Sequence, residues 1–220
     1  MTIKIVSLDI ETLSTKTSAL VLEIGMISGT INSYSDIDLS VILEVATSDS
    51  PVLDNPCAWT AKVLPVSYTE QVDICRSEDD STWAFHRTTP VREVHLTKML
   101  KDAEGTLDTI FDSLEKVSAF CEGADEIWIN GLSFDPAILK SLSEEVFYDT
   151  PLWPFRAERD VRTIYRVFAV DTDVSNFTSH QAIMDCIRNL ATVRALGDHL
   201  EAQTLTLRPV PIPANVSSAP

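Results

Sequence analysis

Near the start of the chain an apolar run, Lys4-Ile5-Val6-Ser7-Leu8, ends in Asp9-Ile10-Glu11-Thr12. In an extended strand residues i and i+2 project from one face, so Asp9 and Glu11 leave the carboxyl end of such a strand side by side. Two neighbouring anions repel each other. A divalent cation with a preference for carboxylate oxygen, Mg²⁺ or Mn²⁺, would relieve that repulsion. Acid-x-acid spacing also occurs at Asp36/Asp38 and Asp102/Glu104, and on a half-exposed strand it is usually a solvated face. Two things set Asp9 and Glu11 apart: their place at the end of an apolar strand, and two later segments that supply complementary groups.

The second segment is Asn130-Gly131-Leu132-Ser133-Phe134-Asp135, followed by Ile138 and Leu139. Gly131 permits a sharp turn, Phe134 and Ile138 can anchor a helix in the core, and Asp135 can point back across the strand ends. Standing alone, an Asp at a helix start is a cap or a dipole partner. The third segment, His180 to Asp185, offers a carboxylate from the first turn of a helix and an imidazole just before it. Asp185 can reach inward, and His180 can reach a water above it.

These side chains need elements to hold them. Residues 3–9 read as a buried strand, Val21 to Ile31 as a second strand with Gly25 and Gly29 marking a bulge or close backbone approach, and Ile37 to Val45 as a third. Their short connections suggest an antiparallel meander. From about Thr47 to Leu100, Pro51, Pro56, Pro65 and Pro90 interrupt the pattern, and irregular structure is expected there with one short helix over Ser81 to Arg87. Trp83 and Arg87 would share a face of that helix, either as a base-stacking and phosphate-holding pair or as a core tryptophan beside a surface arginine.

Leu107 to Cys121 has helical spacing, with Leu107, Ile110, Phe111, Leu114 and Val117 on one stripe. A strand at 126–130 follows, and a right-handed crossover places it parallel to residues 3–9. The first strand then lies between an antiparallel and a parallel neighbour, where ligands collect at strand carboxyl ends. Helices are expected from Phe134 to Leu142, from Arg159 to about Val170, and from a Ser179 cap to about His199. Residues 1–204 form one domain, and the Pro-rich stretch 205–220 reads as an extended tail.

Composition bounds the class. With 220 residues, 45% of them hydrophobic, a full core is available without staples. Cys57, Cys75, Cys121 and Cys186 show no metal-site or Cys-x-x-Cys spacing, which suits reduced thiols in a cytosol-like compartment. No signal peptide and no membrane-spanning run is apparent, and a cytoplasmic protein is expected. A formal net charge of -16 opposes non-specific binding of a polyanion. Any action on nucleic acid should therefore be local to the site and distributive, unless a partner or a small basic patch compensates.

Taken together, Asp9-x-Glu11, Asn130-Gly-x-x-Phe-Asp135 and His180-x-Ala-x-x-Asp185 resemble, in order, the three motifs of the DEDD superfamily of 3′-5′ exonucleases. His180, with Gln181 rather than a tyrosine, is similar to the histidine subgroup. Leu8 to Leu13 and Arg159-Asp-Val-Arg-Thr163 look like segments of phage-encoded and related bacterial members. The resemblance spans roughly residues 5–195.

It implies an α/β, ribonuclease H-like fold: a mixed five-stranded sheet flanked by helices, here with an irregular insertion in the middle third. It also implies phosphodiester hydrolysis with two Mg²⁺ or Mn²⁺ ions held by Asp9, Glu11, Asp135 and Asp185, with His180 as general base. The expected substrate is a single-stranded DNA or RNA 3′ end, or an oligomer of a few residues. Thr12, Asn130, Phe134 and Arg162 are expected substrate contacts, and Leu13 is either an apolar wedge between the last bases or core packing. An edge strand or the middle third could pair two copies into a homodimer. A silent binding module would more simply have lost one of the acids.

Overall fold

The computed structural model describes residues 2–47, 59–147, 151–168 and 180–206. Five strands form one sheet: β1 (Ile3–Thr12), β2 (Val21–Ile31), β3 (Thr60–Pro65), β4 (Glu126–Ile129) and β5 (Glu158–Asp160). Their spatial order is β3-β2-β1-β4-β5. β2 runs antiparallel to both β1 and β3, while β4 is parallel to β1 and to β5. This is the mixed, ribonuclease H-like sheet, with the acid-bearing strand at its centre.

The two faces of β1 are sorted by side-chain alternation. Val6, Leu8 and Ile10 pack into a core cluster with α5 (Ile110–Cys121) and α6 (Asp135–Phe147). Ile5 packs on the opposite side with α8 (Ala182–Thr206), which supplies Cys186, Ile187, Leu190 and Val193. Asp9 and Glu11 share the parity of Ile5, so they face α8. Gly25 makes close approach of that helix feasible: a Cβ there would lie 2.5 Å from the Ala182 carbonyl carbon. Ser7 Oγ then donates to the Cys186 carbonyl at 3.1 Å and Cys186 Sγ to the Gly25 carbonyl at 3.2 Å.

Several expectations are corrected. Ile37 to Val45 is not a strand: α1 (Leu39–Thr47) occupies it, and the third strand is β3. Asp38 Oδ1 accepts the Ser40 and Val41 N–H groups, so a cap converts an apparently alternating run into a helix that buries Ile42 and Val45. The described part of the middle third is ordered rather than irregular. It contains β3, α2 (Tyr68–Asp73), α3 (Asp80–His86) and the sixteen-residue α4 (Pro90–Gly105).

Pro90 does not break a helix; it opens one, next to a Thr89 cap, where its missing N–H costs nothing. Exposed Val91 and Val94 blur the α4 stripe of Leu96, Met99 and Ala103, which covers a small third core with Leu13, Leu20 and Leu22. The helix over Ser81 to Arg87 is present as α3.

Leu107 is 99% exposed and precedes α5 rather than joining its buried stripe. Arg159 and Asp160 belong to the edge strand β5, after which α7 (Val161–Phe168) begins. The expected Ser179 cap lies outside the described residues, and α8 runs on to Thr206. Beyond it, the expected Pro-rich tail lies outside the described residues. Cys75, Cys121 and Cys186 are free thiols. Among the described residues no helix is long and apolar enough to cross a membrane.

Candidate active site

A cleft of about 530 Å³ opens at the carboxyl end of β1, lined by Asp9, Glu11, Asp135, His180 and Asp185 among others. The five residues expected to carry chemistry therefore meet. Ligand atoms of Glu11, His180 and Asp185 lie within 4.8 Å of one another. A second cavity, about 570 Å³, sits between α6 and residues 151–158 under Trp153 and Phe155. Its lining includes Glu144 and Glu158 but none of the five.

Each acid is positioned by a different device. Asp9 and Glu11 ride on β1 and pair across the ladder with Gly25 and Glu23. Asp135 opens α6 after the turn at Gly131, which has φ +104. That turn is held by Asp160 Oδ1, which accepts the Gly131 N–H at 3.1 Å. Asp185 lies in the first turn of α8, where its Oδ2 accepts the His180 N–H at 2.9 Å and its Oδ1 accepts from Arg188 at 2.8 Å. His180 has φ +68, a left-handed conformation rare for a non-glycine residue, and this backbone turn delivers its ring to the cleft mouth.

Electrostatics bind the four carboxylates into one unit. Burial pushes Asp9 well above the usual carboxylate range, and the charges of Asp135, Glu11 and Asp185 push it further. Burial, then Asp185, Glu23 and Asp135, do the same to Glu11, against a lowering effect of Arg92. Asp135 is pushed up to about 7 by burial, with Arg162 pulling down and Asp185 pushing up. Asp135 Oδ2 is buried without a hydrogen-bond partner among the described residues. An orphaned carboxylate oxygen beside three further acids is the donor set of a hard divalent cation. The residues present fit such a group.

Burial makes the two imidazoles at the site, His180 and His86, harder to protonate. Burial lowers His180, as do Arg92, His86 and Arg188, against an opposing Asp185. His180 Nε2 accepts from Arg92 Nη2 at 2.8 Å, and its ring meets the Phe85 ring edge-on with centroids 4.8 Å apart. Sequence reasoning missed His86, Phe85, Arg92 and Arg188. His86 is 3% exposed, and its Nε2 bonds the Thr12 carbonyl at 3.1 Å. No spacing along the chain marks out Phe85, His86 or Arg92, because their contacts with Thr12 and His180 are tertiary.

The expected substrate contacts divide. Thr12, Asn130, Phe134 and Arg162 line the cleft, with Arg162 Nε donating to Asn130 Oδ1 at 3.1 Å. Leu13 does not: it is fully buried in the core under α4, so it is packing and not a wedge. Trp83 and Arg87 are a pair with each other, the guanidinium carbon 5.0 Å from the ring centroid. The Trp83 indole N–H is held by Glu78 at 3.0 Å. Neither lines the cleft, because the other side of α3, carrying Phe85 and His86, faces it.

A central strand between an antiparallel and a parallel neighbour, bearing two acids that a third from α6 and a fourth from α8 join, is the architecture of the ribonuclease H-like class. The sequence model of the Rv2179c-like 3′-5′ exoribonuclease domain matches residues 4–196, and the chain belongs to this family. It is a 3′-5′ exonuclease with a nucleic-acid substrate. No curated protein matches the chain.

Proposed function

We propose that this enzyme is a histidine-type DEDD exonuclease, akin to phage-encoded and bacterial members. It removes nucleoside 5′-monophosphates one at a time from the 3′ end of single-stranded RNA. The observation that carries the reading is the meeting of Glu11, His180 and Asp185 within 4.8 Å beside the half-buried Asp9 and the buried Asp135, whose charges repel each other. RNA is favoured over DNA by the exoribonuclease description of the matched family.

Asp9, Glu11, Asp135 and Asp185 would hold two divalent cations, Mg²⁺ or Mn²⁺, which when bound supply Lewis-acid stabilisation of the attacking and leaving oxygens. His180, neutral at pH 7 because burial and nearby cations lower it, accepts the proton of the attacking water. The bond from phosphorus to the 3′ oxygen of the preceding residue breaks, leaving a shortened strand and a 5′-monophosphate. Asp185 fixes the base by accepting its backbone N–H. Thr12, Asn130, Phe134 and Arg162 contact the terminal nucleotide from the side of the cleft that carries the acids. All these side chains come from one chain, so a homodimer would present two complete sites.

The net charge of -16 favours oligomers of a few residues over long strands, since a short polyanion meets less long-range repulsion. Incubating the protein with 5′-labelled RNA of two and of twenty residues, with Mn²⁺ or Mg²⁺, tests both statements. A ladder shortening from the 3′ end is expected, with faster loss of the shorter substrate. No shortening of either between pH 6 and 9 would remove the reading.

A further inference from the structure

Arg92, on the first turn of α4, reaches His180 from outside the three motifs. Its Nη2 lies 2.8 Å from His180 Nε2, its Nη1 2.9 Å from Thr88 Oγ1, and its guanidinium carbon 4.4 Å from the centroid of Phe85. A guanidinium has donors only, so Nε2 must be the acceptor. The lone pair that His180 needs as a base is thus already engaged. Among the described residues Arg92 forms no ion pair, although its charge reaches Glu11, His86 and His180. Arg188, by contrast, is committed to Asp185.

A cation stacked on an aromatic ring and bound only to neutral partners is poised for an anion, and the anion that enters this cleft is a phosphodiester. We propose that Arg92 is a phosphate-binding residue that, before substrate arrives, caps Nε2 of His180. Entry of the strand draws the guanidinium onto a phosphate and uncovers the base, so binding and activation become one event. The Phe85 ring keeps the guanidinium over the cleft in both positions. The proposal rests on His180 being the general base.

Arg92 is half-buried on a helix surface, so Arg92→Ala and Arg92→Lys should fold. On a short 5′-labelled RNA with Mn²⁺, Arg92→Ala should lower kcat/KM about 10-fold or more, the size of a lost charge-assisted hydrogen bond. The loss should reside in KM, and Arg92→Lys should recover part of it. A fall in kcat with KM unchanged would mean that Arg92 only orients the ring, and unchanged parameters would mean that it does nothing; either overturns the proposal. An activity-independent reading is the rate at which diethyl pyrocarbonate modifies His180, with His199 as internal reference. Arg92→Ala should raise it severalfold, and adding unlabelled oligomer with Ca²⁺ to the wild type should raise it too. Equal rates in all three would contradict the cap even if the chain proved inactive, while a wild type that degrades no RNA would sink the functional reading separately.

Discussion

The two walls of the cleft are built on opposite terms. One wall, β1 with the first turns of α6 and α8, is welded into the main core: Asp9 and Glu11 sit between Leu8, Ile10 and a helix that touches β2 at Gly25. The other wall, α3 and the start of α4, rests on a small separate core under α4 and presents Phe85, His86 and Arg92. The first wall holds charges that repel, which only a rigid frame can keep together. The second holds cationic and imidazole donors and an aromatic ring, which do not repel one another in this way. The acids are thus anchored in the main core, and the residues opposite them in a smaller one.

Breaking the first wall should cost most. Asp9→Asn or Asp135→Asn should lower turnover by about 1,000-fold or more, the effect of losing several kcal/mol of charge stabilisation, while circular dichroism shows the fold retained. His180→Ala should cost about 10² to 10⁴, the usual worth of a general base, and a near-native rate at neutral pH would overturn its role. Because burial lowers His180 from its ordinary 6.5, the neutral base is present at pH 7, and kcat/KM should fall only as pH drops below that value. Gly25→Ala tests the frame itself. Its Cβ would sit 2.5 Å from backbone of α8, and displacing that helix should cost about 100-fold in rate with all five side chains still present.

Stability should sharpen the contrast next. Asp9, Glu11 and Asp135 bind protons more readily folded than unfolded. Their contribution to the stability of the metal-free fold is therefore greatest in acid and is lost as pH rises, for Asp135 between its ordinary 3.8 and about 7. The gain in Tm on adding Mn²⁺ should accordingly be larger at pH 8 than at pH 5, and Asp9→Asn should raise the metal-free Tm at pH 8. On the second wall, Leu13→Ala should cost about 2–5 kcal/mol of unfolding free energy as a core cavity. Trp83→Phe and Arg87→Ala, facing away from the cleft, should change kcat/KM less than about twofold.

What the sequence disclosed follows the same division. The acids were legible because each is tied to a strong local signal: the apolar run before Asp9, the Gly131 turn before Asp135, the apolar stripe after Asp185. The ribonuclease H-like sheet followed from one antiparallel pair and one crossover. Residues 59–105 were opaque for physical reasons. α4 buries only a narrow stripe and leaves valines exposed, its Pro90 reads as a breaker until Thr89 is seen to cap it, and α1 mimics a strand until Asp38 is seen to cap it. Phe85, His86 and Arg92 gain their meaning only from tertiary approach to Thr12 and His180. No spacing along the chain announces that approach, so Trp83 and Arg87, which do show helical spacing, were the wrong pair.

The central claim is that Asp9, Glu11, Asp135 and Asp185 act as one cation-binding unit. Calorimetric titration of the metal-free protein with Mn²⁺ at pH 8 addresses it without any substrate. Saturable binding that is lost or greatly weakened in both Asp9→Asn and Asp135→Asn is the predicted result. Binding of equal strength and stoichiometry in the wild type and both variants would contradict the account.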